Sequence, residues 1–157
     1  MFERAPVRID RRHKRRILVE FSGRHFVKGA ASGVGCNCLI HTLLSCLNDN
    51  NLRCVANVPW IRQELQKLFP DGENIVTKNN FLDLRNHWRS IIDLIGVSAR
   101  QQGCDERNQI HSENFRVTGV LEEAERVVEE DGDGPIHLFT LNEGNYHFVP
   151  LIRNREK

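Results

Sequence analysis

The sequence predicts a single α+β domain, and three observations predict it. Stretches with a helical apolar period occupy residues 38–47, 60–69 and 81–95. Short runs rich in β-branched and aromatic residues lie near both ends, at 17–21, 136–141 and 146–149. At 157 residues the chain is long enough for one domain with a real core and too short for two.

Composition narrows the function classes. Apolar content of 39% and charged content of 27% describe an ordinary, somewhat polar soluble chain. A net charge of +1 gives no global field for nucleic acid or membrane. Charge is unevenly spread, however: Arg4, Arg8, Arg11, Arg12, Lys14, Arg15 and Arg16 crowd the start, and seven carboxylates crowd residues 122–133. Five cysteines at 36, 38, 46, 54 and 104 form an odd set, which favours free thiols in a reducing compartment such as the cytoplasm. No apolar run reaches the length of a membrane span.

Taken in order, residues 1–16 read as a basic, flexible arm and residues 17–157 as the domain. A strand over 17–21 and a short one over 25–27 lead to a loop at 29–36 with three glycines, two alanines and a serine. An amphipathic helix begins at Cys38, capped by Asn37 or Cys36, and stops in the Asn48-Asp49-Asn50-Asn51 cluster. Pro59 opens a second helix to about residue 69. A third, capped by Asn79 or Asn80, runs until Gly96 closes it. Residues 97–116 carry no readable element. A fourth helix is expected over 119–130, with Val120, Leu121, Ala124, Val127 and Val128 on one face and glutamates on the other. The chain then ends in a hairpin turning at 142–145, both strands covered on both faces.

The chemistry points to Cys38. In the first turn of a helix, free backbone N–H groups and the positive dipole end favour the thiolate, the form that attacks carbonyls. The same N–H groups, with those of Gly35 and Cys36, can receive an oxyanion. His147, on a covered strand just after a tight turn, is held firmly enough to act as a general base. Asn145 shares its face by strand alternation and is the candidate that orients its ring. Cys36, His41 and His137 are the competitors, while Cys46 and Cys54 read as small buried hydrophobes. Cys36-x-Cys38-x-x-His41 has ligand chemistry, with Cys54 or Cys104 as a further donor, but the spacing is poor for zinc and no metal or cofactor is expected.

Gly35-Cys36-Asn37-Cys38-Leu39 followed by a hydrophobic helix, with Pro135-Ile136-His137-Leu138 leading to Asn145-Tyr146-His147-Phe148, resembles the ovarian-tumour (OTU) family of cysteine proteases. The resemblance covers two short islands in that family's order and separation. It implies a papain-like fold and a deubiquitinase whose partner is ubiquitin or a ubiquitin-like protein, in a family with diverged bacterial-effector and viral members. It also implies Cys38 as nucleophile and His147 as base; the oligomeric state is left open, with a monomer favoured. Gly35 and Cys36 depart from the family's Asp-Gly, and Val149 stands where an asparagine or aspartate orients the ring. A deamidase or acyltransferase of the same fold, or an inactive binding module, are the alternatives. Glu122, Glu125 and Glu129 are expected to form an acidic rim that steers ubiquitin's basic tail.

Overall fold

The computed structural model describes residues 2–4, 7–10, 17–21, 23–33, 37–69, 81–121, 126–129, 136–144 and 147–154. In chain order these form β1 (Phe2–Arg4), β2 (Val7–Asp10), β3 (Leu18–Phe21), β4 (Arg24–Lys28), α1 (Cys38–Asp49), α2 (Val58–Leu68), α3 (Phe81–Gln101), β5 (Phe115–Leu121), β6 (Arg126–Glu129), β7 (Ile136–Glu143) and β8 (His147–Arg153). The architecture is α+β.

One eight-stranded sheet has the order β1-β6-β5-β7-β8-β4-β3-β2. Among the described strands only β5 and β7 run parallel; the other pairs are antiparallel. β1 and β2 lie at opposite edges, yet Arg4 and Val7 are three positions apart and their Cα atoms can be separated by at most ~11 Å. The sheet therefore curls enough to bring these two edge strands within that distance of each other. Its inner face holds a cluster of Val19, Phe26, Val120, Phe139, Leu141, Val149 and Leu151, with Ile9 against it. Its outer face carries the helices over a second core in which Leu39, Leu43 and Leu47 of α1 meet Trp88, Ile91, Ile92 and Ile95 of α3 and Phe115, Val117, Leu138 and Phe148 of the strands. Strand alternation explains the division: Leu138 and Phe148 face the helices, and Phe139 and Val149 face inward. Both strands of the final hairpin are thus covered on both faces.

Three expectations are corrected. The segment expected as a flexible arm contributes β1 and β2; the alternation Val7-Arg8-Ile9 suits a strand, and charges in the segment masked it. The helix expected over 119–130 is a strand pair: β5 continues to Leu121, and β6 returns alongside it with Leu121 opposite Arg126 and Thr118 opposite Glu129. Val117, Thr118, Val120, Val127 and Val128 are β-branched and favour the ladder, which the helical spacing of apolar residues had hidden. Gly96 does not end α3, which runs on to Gln101. A Cβ there would meet the carbonyl of Ile110 at 2.1 Å, so this glycine serves a close crossing of chain.

Candidate active site

The glycine-rich loop is shaped by the edge of β8. Where β4 ends, the Gly29 N–H donates to the Pro150 carbonyl at 2.9 Å, and a Cβ on Gly29 would lie 2.7 Å from the proline ring. Only glycine lets the loop cross so closely. Further on, a Cβ at Gly33 would lie 3.6 Å from Cε1 and 3.7 Å from Nδ1 of His147. The loop therefore carries the chain past the imidazole before α1 begins.

Cys38 is the first residue of α1, as expected. Asn37 is its N-cap, but its side chain makes no capping bond. Its Oδ1 accepts instead from Nε of Arg62 on α2 at 2.7 Å, an arginine only 8% exposed. The Asn37 side chain thus does not cap the first turn of α1, whose N–H groups favour a negative charge at that end. The thiol is 2% exposed and accepts from the backbone N–H of Phe148 at 3.3 Å. Phe148 is the residue after His147, so the structure holds the Cys38 thiol against the strand position next to the sequence-predicted base, whose side chain by strand alternation lies on the Val149 face of β8.

Val149, two positions after His147, is 2% exposed within the inner cluster and has no polar group to offer the ring. Asn145 lies outside the described residues, as do Gly35, Cys36, Glu122 and Glu125. The carboxylate placed across from His147 is Glu143, its direct partner in the β7–β8 ladder, which makes an ion pair with Lys28. Sequence reasoning missed Glu143 because β7 was expected to end at 141. The two-residue alternation running back from His147 across the turn was the signal for it. Gly144, in that turn, has φ +62°, the left-handed conformation its loop position calls for. Thr42, one turn along α1 from Cys38, and Asn142, the ladder partner of Phe148, are fully buried with no hydrogen-bond partner among the described residues for their side-chain polar atoms.

The competing groups are placed elsewhere. Cys46 is buried, donates to the Phe139 carbonyl at 3.2 Å, and is pushed up to about 12 by desolvation and by Asp49. Cys54 is pushed up to about 11 by desolvation, Cys104 and Asp105. Both stay thiols at neutral pH; Cys46 is buried as expected, whereas Cys54 is only half-buried. His137 sits at the opposite end of β7 from Glu143, about 20 Å along the strand at ~3.4 Å per residue, too far to serve Cys38. His41 follows Cys38 on the same helix and cannot face it across a cleft. Glu129, level with Thr118 and not with the end of β5, is removed from the His147 end of the sheet.

Among the described residues no three His, Cys, Asp or Glu side chains converge to hold a metal ion, and no helix is long and apolar enough to cross a membrane. Compared with family models, with curated proteins and with solved structures, the chain has no match, so the junction of Cys38, Phe148 and His147 is the ground on which its function is read.

Proposed function

We propose that the chain is a cysteine hydrolase of papain-like design that cleaves isopeptide or peptide bonds of ubiquitin or a ubiquitin-like protein. One observation carries this reading: a cysteine in the first turn of a helix, its Sγ 3.3 Å from the backbone N–H next to a strand-borne histidine. The resemblance of the Cys38 and His147 segments to the ovarian-tumour family supplies the substrate class.

In this mechanism His147 takes the proton of the Cys38 thiol, and the thiolate attacks the carbonyl carbon at the end of the ubiquitin tail. The carbonyl oxygen becomes an oxyanion held by the Cys38 N–H and those of Gly35 or Cys36. As the C–N bond breaks, the imidazolium gives its proton to the leaving amine. Water then attacks the thioester, His147 accepts its proton, and the thiol is restored. Glu143, across the ladder from His147, holds the ring's orientation together with Asn145. A thiol 2% exposed favours a thin acyl donor, which a tail ending in two glycines provides.

The same burial favours one other reading, a module that grips ubiquitin without cleaving it. Ubiquitin bearing a C-terminal electrophile separates the two. The hydrolase gives a covalent adduct that disappears in Cys38→Ala. Binding without an adduct identifies the module, and neither binding nor adduct rejects both.

A further inference from the structure

The β7–β8 ladder runs from Glu143 opposite His147 to Thr140 opposite Pro150 and goes no further. Proline has no N–H to continue it, and from Leu151 onward β8 pairs with β4. The two strands separate, and the opening holds a cavity of about 410 Å³ lined by Arg24, His25, Phe26, His137, Phe139 and Arg153. It lies at the end of β7 remote from Cys38.

The described lining has one sign of charge. Arg24 and Arg153 are exposed at its rim, and among the described residues neither is ion-paired and no lining residue is acidic. Phe139 forms the floor, with the His137 ring stacked on it at 4.3 Å and the Arg24 guanidinium 5.1 Å from its centroid. That stack fixes Arg24 over the opening, while His137 is anchored by a hydrogen bond with Thr118. Two guanidiniums on a concave, apolar floor match the oxygens of a tetrahedral dianion, which each can meet with paired N–H donors. We propose that this cavity binds a phosphate group, free or as the end of a phosphate monoester, at a site separate from the thiol.

His137 offers an internal reporter. Burial and the charges of Arg116 on β5, Arg24 on β4 and Arg153 on β8 push it down to about 4; His25 also lines the cavity, and Glu129 lies at the register position across from Thr118. A dianion between the arginines opposes that field and raises the pH at which His137 protonates.

Inorganic phosphate and phenyl phosphate, titrated into the full chain by calorimetry and by NMR of the His137 ring protons, test the site. Saturable binding with an upward shift of the His137 titration is expected. Arg24→Gln and Arg153→Gln should each weaken it about tenfold. Both side chains are exposed, so these variants should fold. Arg107→Gln, which removes an exposed charge elsewhere, and Cys38→Ala should bind as the parent does. Tighter binding of phenyl phosphate assigns the site to monoesters, and equal binding assigns it to the free anion. No saturation, or equal weakening by Arg107→Gln, overturns the proposal, whatever the thiol does.

Discussion

Phe148 and Cys38 meet through one hydrogen bond, backbone N–H to Sγ at 3.3 Å, across 110 positions of chain. The sulfur is thereby positioned by β8 as well as by α1, and the strand that fixes it also carries His147. Cys38 is thus tied to the residue next to His147 on one strand.

Cys38→Ala should abolish hydrolysis and leave the fold intact. It leaves the buried Phe148 N–H without an acceptor, so a loss of about 1–3 kcal/mol in urea unfolding is expected. Cys38→Ser keeps an acceptor and should lose less stability while remaining inactive. Cys36→Ala should stay active. Full activity in Cys38→Ala would remove the thiol from the mechanism.

Glu143 stands directly across the ladder from His147, and in the proposed mechanism it orients the ring. His147→Ala should lower kcat by at least ~10²-fold, the usual worth of a general base. Glu143→Gln should lower it about tenfold with KM unchanged, because the carboxylate acts on the ring and not on substrate. Asn145→Ala should lose less than His147→Ala. A Glu143→Gln effect confined to KM would place that side chain on the substrate instead.

Much of this site was legible because it rests on short-range signals. Cys38 sits where small residues give way to a helical apolar period, and His147 follows a glycine turn between covered strands. Long-range pairing was less visible. Val117 to Val128 satisfy helical spacing and strand propensity at once, and only the parallel partnership of β5 with β7 decides between them. Gly96 looked like a helix stop because its real constraint, the carbonyl of Ile110, lies 14 positions away. Between the end of α3 and residue 111 the chain was unreadable for a similar reason. Its order comes from Asp105, whose carboxylate accepts from Arg100 at 2.7 Å and from the N–H groups of Gln109 and Ile110 at 2.7 and 3.0 Å. That is a hydrogen-bonded loop with no periodicity to detect.

His137 should make the fold sensitive to mild acid. It is pushed down to about 4 in the folded chain against an ordinary 6.5, so the unfolded chain binds the proton first. Its contribution is complete above about 6.5 and is lost as pH falls towards about 4. His137→Gln, which keeps a polar group beside Thr118, should flatten the stability profile across that window. Identical profiles for variant and parent in urea unfolding would assign the acid sensitivity to other groups.

Gly96→Ala should destabilise the chain, against the usual gain of ~1 kcal/mol for this change inside a helix. The new Cβ would meet a backbone oxygen at 2.1 Å, and a carbonyl cannot move aside as a flexible side chain can. Overpacking of this kind costs about 1–3 kcal/mol, and Tm should fall by several degrees. An unchanged or raised Tm in calorimetry would mean that the Ile110 segment yields freely.

The acidic segment makes a prediction that depends on sheet register alone. Leu121 lies opposite Asn142 in the parallel ladder and opposite Arg126 in the antiparallel one. Leu121 and Arg126, the described residues on either side of Glu122 and Glu125 in the sequence, therefore lie towards the same end of the sheet as Glu143 and His147. Glu129, opposite Thr118, is three ladder positions below that end, about 10 Å at ~3.4 Å per residue. If carboxylates steer the basic tail of ubiquitin, the effect should divide along this line. Glu122→Lys with Glu125→Lys should lower kcat/KM at low salt, and the gap to the parent should close as ionic strength rises. Glu129→Lys should change it little. Equal losses at both places, or a loss that salt does not screen, would make the charge run a solubility feature of the sheet edge and leave the tail to find Cys38 by its glycines.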